Sequence, residues 1–101
     1  MSDVPVTVTA PVVKVLEDDT EGDRHQRLLL GLAHPVDGFD SVLIAHNIDV
    51  APRVPCDRGD TITVHGRYEW NDLGGVIHWT HRDPDGGHEG GWIEFRGRRF
   101  E

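Results

Sequence analysis

From Thr61 to Trp70 the side chains alternate without a break: Ile62, Val64, Gly66, Tyr68 and Trp70 fall on one face, and Thr61, Thr63, His65, Arg67 and Glu69 on the other. A period of two belongs to a strand with one buried face. The same pattern recurs elsewhere. Val4, Val6 and Val8 alternate, Pro11 interrupts them as at an edge or bulge, and Val12 to Leu16 continue the strand. Arg24 to Leu32 reads as a second strand, with Leu28, Leu30 and Leu32 on one face and Arg24 and Gln26 at the start of that face. Ser41 to His46 reads as a third. Thr61–Trp70 is then the fourth, and a hairpin at Asn71 to Gly75 leads to a fifth strand, Val76 to His81. Trp92 to Phe95 and Arg98 to Phe100 are short closing segments. Twelve glycines and six prolines suit many turns and short strands better than long helices. Between the third and fourth strands, Asn47 to Pro55 is too short and proline-broken for more than one helical turn. The expected fold is therefore all-β: a small five- to six-stranded barrel, OB-like, with a small β-sandwich or roll as the alternative. Residues 1–101 are expected to form a single OB-like domain.

Eighteen acidic and ten basic side chains leave a formal net charge of -8. Such a chain has no broad electrostatic grip on nucleic acid, which depends on many cations neutralising phosphates. A local site is still compatible with that balance, because every cation but Lys14 is an arginine, suited to bidentate contact with phosphate or carboxylate. Blocks of like charge repel and stay wet, so the acidic run Glu17 to Asp23 reads as a solvated hairpin loop. Cys56 is the single cysteine, so no intrachain disulfide forms. With no membrane-length segment and no basic, apolar start, the expected setting is cytoplasmic and away from membranes.

Seven histidines are many for this length. Candidate chemistry gathers at expected strand ends and loops. His25, His46, His78 and His81 are the candidate catalytic residues, because an imidazole titrates near neutrality and serves as general acid or base. Arg24, Gln26, Asn47, Arg53, Trp70 and Asn71 are the candidate binding residues: arginine to hold a phosphoryl group, tryptophan to stack on a base. His81, Asp83 and His88, in a strand end and the loop after it, are candidates for a divalent metal ion of unknown identity. His78 and His81, three residues apart in a strand, point to opposite faces, which argues against one shared metal. There is no phosphate loop, paired-cysteine zinc motif, His-Glu-x-x-His or Gly-x-Ser-x-Gly, and the only serines are Ser2 and Ser41.

On these residues the chain resembles a bacterial family of unknown function, DUF3465. The resemblance rests on Arg-His-Gln-Arg at 24–27, His-Asn-Ile-Asp at 46–49, Ala-Pro-Arg at 51–53, Tyr-Glu-Trp-Asn at 68–71, and Gly-Gly-Val-Ile-His-Trp-Thr-His at 74–81 followed by Asp83-Pro84. His88 and Gly91-Trp92-Ile93 also fit. The resemblance spans nearly the whole chain. Arg82 departs from it, standing where the family pattern has a further histidine. No activity comes with the resemblance, which implies a fold-sized unit and a set of motifs.

Three functions compete on the sequence. The first is a nuclease-like phosphodiester hydrolase using a His/Arg/Asn cluster at the barrel mouth. The second is an OB-type module that binds single-stranded nucleic acid, a nucleotide or another ligand without catalysis. The third is a structural or protein-interaction domain whose polar cluster is a buried hydrogen-bonded network. The sequence leaves the oligomeric state open.

Overall fold

The computed structural model describes residues 2–36, 38–72, 74–87 and 89–101. Seven strands form one sheet: β1 Ser2–Val15, β2 His25–Val36, β3 Phe39–Asn47, β4 Thr61–Asn71, β5 Gly74–His78, β6 Trp92–Phe95 and β7 Arg98–Phe100. No helix occurs among the described residues, so none is long and apolar enough to cross a membrane. β1 bends from one partner to another. Its first part pairs antiparallel with β4, Val4 opposite Tyr68 through Pro11 opposite Thr61, and its end pairs with β2, Val12 opposite Leu30 and Val15 opposite Leu28. β2 and β3 are antiparallel, β3 and β5 parallel, β5 and β4 antiparallel. The order β1-β2-β3-β5-β4 thus returns to β1 and closes a five-stranded mixed barrel, with β6 and β7 added beyond β4. The all-β barrel expected from the alternating pattern is the observed architecture.

Inward-facing residues fill the barrel in the period of two that the sequence shows. Val12, Leu28, Leu30, Ile44, Ile62, Val64, Ile77 and Ile93 are each no more than 1% exposed. At one end, where β2 begins and β3 ends, the loop 48–60 turns inward. It makes a single helical-type turn, the Ala51 amide to the Asn47 carbonyl at 3.2 Å, and then places Ala51, Val54 and Cys56 against the core. This loop plugs the near mouth. The opposite end, where β1 and β5 begin and β2 ends, has no such plug among the described residues.

β5 is shorter than its apolar run suggests. It stops at His78 rather than His81, because Trp79 takes a left-handed conformation (φ 57°) that turns the chain out of the ladder. Two glycines accept the departing segment. A Cβ on Gly66 would lie 2.5 Å from the His78 carbonyl oxygen, and one on Gly91 only 2.0 Å from the Trp79 carbonyl oxygen. β4 accordingly changes neighbour there, pairing with β6 up to His65 and with β5 from Arg67 onward.

Candidate functional site

The polar residues expected to share one barrel mouth separate into several places. Gln26 and His46 point into the barrel, where they hold the plug. The Gln26 amide donates to the Val54 carbonyl at 2.8 Å and accepts from the Val54 amide at 2.9 Å. His46 is 0% exposed; its Nε2–H donates to the Pro52 carbonyl at 2.8 Å, and its Nδ1 accepts from the Thr80 hydroxyl at 2.7 Å. Both ring nitrogens are therefore engaged, and burial lowers the His46 pKa by disfavouring the charged ring. These geometries make Gln26 and His46 braces of the loop.

Arg24, His25, Asn47 and Arg53 do meet, on the outside of the plug. Arg24 grips Asp49 twice, through its backbone amide (2.8 Å) and its Nε (2.9 Å), and these contacts hold the Asp49 carboxyl below its usual range. Arg53 pairs with Asp18, whose pKa is lowered chiefly by that hydrogen bond. Asn47 donates to Asp23 at 2.9 Å and accepts from the Asp49 amide at 3.0 Å, and the His25 Nδ1–H donates to the Asp23 carbonyl at 2.9 Å. The acidic run is thus partly stapled to the plug: Asp18 and Asp23 serve as acceptors, and the Glu17 carbonyl takes the Arg27 Nε–H. The arginines expected to hold phosphate already hold carboxylates of this chain.

Trp70 and Asn71 lie at the other end of the barrel, opposite Gly75 and Gly74 at the start of β5, and so do not join that group. His81 is buried, donates its Nδ1–H to the Arg82 carbonyl at 2.7 Å, and packs its ring 4.8 Å from that of Trp79. Asp83 accepts from the Asp85 amide at 3.0 Å in a local turn. His88 lies outside the described residues. Among the described residues no three His, Cys, Asp or Glu side chains gather as a metal-ligand set.

His78 belongs to a different arrangement, on the outer face at the fork where β4 changes neighbour. The short β4–β5 connection sets Arg67 directly opposite His78, so their side chains share a face. Asp3, Arg67, His78 and Trp79 line a groove of about 170 Å³, and a narrower extension runs from Arg67 and Trp79 to His65, Glu89 and Gly91. Carboxylates flank these side chains: Asp3 lies 3.9 Å from the Arg67 Nε, Glu69 3.6 Å from the His78 Nε2, and Glu89 3.5 Å from the His65 Nε2. His65 also bonds the Thr7 hydroxyl at 2.8 Å and stacks on Trp92, whose ring lies 4.0 Å from the Arg99 guanidinium. The fork therefore presents a half-exposed arginine, imidazoles and indole rings together.

The family profile described as "Protein of unknown function (DUF3465)" matches residues 1–101, the whole chain. The chain belongs to the DUF3465 family. Comparison with curated proteins and with solved structures finds no match. Of the four candidate catalytic histidines in this DUF3465 chain, only His78 lines the groove. Arg67, Glu69, Asp3 and His65 carry no site expectation from the sequence. The signal for Arg67 lies in the hairpin: two residues between Asn71 and Gly74 fix the register that brings position 67 opposite 78.

Proposed function

We propose that this DUF3465 chain is a non-catalytic ligand-binding barrel of OB type, with the groove at the β4 fork as its site. The ligand class that fits is a nucleotide or a short single strand, carrying one or two phosphates and a planar ring. The observation behind this reading is the convergence of Arg67, His78 and Trp79 on one groove. The guanidinium of Arg67 suits a phosphate, and the indole of Trp79 offers a stacking surface. The net charge of -8 and the nearby Asp3, Glu69 and Glu89 favour a small ligand over a long polyanion. The outer face of β2 and β3, where OB barrels often bind, offers Leu29 and Leu43 beside Leu16 and Asp72, which are poor partners for phosphate.

The test is a titration with a nucleoside monophosphate and a short oligothymidylate, followed by tryptophan fluorescence and by backbone NMR. Saturable binding is expected to shift resonances at Arg67 and His78. Arg67→Ala is expected to weaken it by roughly tenfold or more, the scale of a lost charge-assisted contact, with no change in Tm. No saturable response at millimolar ligand refutes the reading.

A second reading, phosphodiester hydrolysis, draws on His78 beside Arg67: its Nε2 is buried without a hydrogen-bond partner, with the Glu69 carboxylate 3.6 Å away, and an imidazole next to a cation is suited to proton transfer. Single- and double-stranded DNA and RNA would be incubated with the protein, with EDTA or with added Mg²⁺, Mn²⁺ or Zn²⁺. Cleavage lost in folded His78→Ala supports hydrolysis, and the EDTA lane reports whether a metal takes part. Binding without cleavage leaves the first reading standing. Neither binding nor cleavage favours a structural or protein-interaction domain.

A further inference from the structure

The groove at the β4 fork has a particular charge balance. Among the described residues that line it and its extension, Arg67 is the one lysine or arginine, and two carboxylates, Asp3 and Glu89, line them with it. Glu69 stands behind, 3.6 Å from the His78 Nε2. Asp3 also takes up part of the guanidinium. Its carbonyl accepts from Nη1 at 3.4 Å and its carboxylate lies 3.9 Å from Nε. Of the three guanidinium nitrogens, Nη2 is the one left to a ligand.

Phosphate esters divide by charge at such a place. Near pH 8 a monoester carries close to two negative charges, because its second pKa is about 6, and a diester carries one. The first charge is met by the guanidinium in a charge-assisted hydrogen bond. The second finds one guanidinium that attracts it and two lining carboxylates that repel it. Two like charges about 4 Å apart in bulk dielectric lower an affinity roughly fivefold. The net charge of -8 opposes each added negative charge at longer range. A diester avoids the second charge and keeps two unesterified oxygens, enough to accept from Nη2.

We propose that the groove selects a phosphodiester, either the link between two nucleosides or a phosphate closed on one sugar, over a phosphomonoester; this rests on the reading of the groove as a nucleotide site. The test titrates the full chain at pH 8 and low salt, with EDTA to keep a divalent cation from bridging a monoester to the carboxylates. Four probes share one base: thymidine 5′-monophosphate, its methyl ester, the dinucleotide TpT and thymidine 3′,5′-cyclic monophosphate. Backbone shifts at Arg67 and His78 report the affinity. The methyl ester is expected to bind roughly fivefold more tightly than the parent monoester, with the gap closing at high salt. TpT as the tightest probe assigns a strand, and the cyclic probe as the tightest assigns a cyclic nucleotide. Asp3→Asn and Glu89→Gln alter side chains that are 72% and 67% exposed, so both variants should fold. Each is expected to narrow the gap by strengthening monoester binding most. A monoester that binds as tightly as its methyl ester, or a gap unchanged in both variants, overturns the diester assignment. No saturable binding by any probe refutes the nucleotide reading itself, and this inference with it.

Discussion

The Thr80 hydroxyl stands 2.7 Å from His46 Nδ1 and donates to it, a contact that joins the segment leaving β5 to the end of β3. Because the opposite nitrogen donates to Pro52, the ring is held in its neutral Nε2–H form. Protonation would turn the Thr80 hydroxyl from donor to acceptor and place a charge inside a site with no exposure. The His46 pKa is lowered from its ordinary 6.5, first by burial and further by His81 and His25, with the Pro52 contact opposing. The unfolded chain therefore binds this proton more readily than the folded one. The stability from neutral His46 is complete above about pH 6.5 and is lost as pH falls through the window between the unfolded and the lower folded pKa. Urea denaturation between pH 8 and pH 5 should show this decline, and His46→Gln should flatten it while lowering the plateau. An unchanged slope in the variant would remove His46 as the cause.

Gln26 satisfies both backbone groups of Val54. Replacing it with leucine keeps the volume nearly constant but leaves the buried Val54 N–H without a partner and its C=O with the Cys56 amide alone (2.9 Å), a loss of about 1–3 kcal/mol. Gln26→Glu should also destabilise, since a carboxylate cannot donate to the Val54 carbonyl, and the deficit should shrink at acid pH as the carboxyl gains a proton. Equilibrium unfolding of the two variants checks both statements; equal stability of wild type and Gln26→Leu contradicts them.

The fork itself rests on a close backbone approach. A Cβ at Gly91 would lie 2.0 Å from one carbonyl oxygen, that of Trp79, and 2.7 Å from another, that of His65, neither of which is the free end of a side chain. Gly91→Ala should cost about 3 kcal/mol or more and pull the Trp79 segment away from β4. Gly86 is the control: it has φ +69° but nothing within 4 Å, so Gly86→Ala should cost only the left-handed strain, about 1–2 kcal/mol. Thermal unfolding of both, with near-ultraviolet circular dichroism to follow the tryptophans, separates a steric effect from a conformational one. Similar losses at the two positions would refute the steric account.

Arg67 reaches its groove with Asp3 beside it, the Nε–carboxylate distance being 3.9 Å. A phosphate entering the groove competes with that carboxylate. Asp3→Asn should thus tighten nucleotide binding several-fold at low salt, with little change in stability, because exposed pairs contribute at most about 1 kcal/mol. Titration of the variant beside the wild type reads this directly, and weaker binding in Asp3→Asn would place the ligand elsewhere.

The barrel was legible because its strands carry the period of two so clearly: Ile62, Val64 and Tyr68 face inward as their alternation demands. The site was less legible. His46 and Gln26 look like chemistry in a sequence, since the pattern shows which face they occupy but not that a loop forty-eight to sixty would fold across that mouth and use them as braces. The end of β5 is hidden from the sequence for a related reason. Val76 to His81 carries strand-forming residues throughout, and the left-handed Trp79 is imposed by the crossing of β4, a tertiary constraint with no local signature. Arg67 and His78 could have been paired from the hairpin length alone.

Cys56 supplies a reporter for the plug that Gln26 and His46 brace. It lies in the core cluster, and burial, reinforced by Asp60 and Asp57, raises its thiol pKa. The thiolate is the species that alkylates, so the native protein should react with iodoacetamide far more slowly than the urea-unfolded chain. If the loop 48–60 opens on its own, labelling should proceed at a rate that denaturant barely changes at low concentration; if it opens only with the barrel, the rate should follow global unfolding. Gln26→Leu distinguishes these cases further. Removing the Val54 clamp should speed labelling more than its effect on global stability accounts for, because Val54 and Cys56 share the same short segment. Labelling that tracks global stability alone in both proteins would show that the plug and the barrel unfold as one unit.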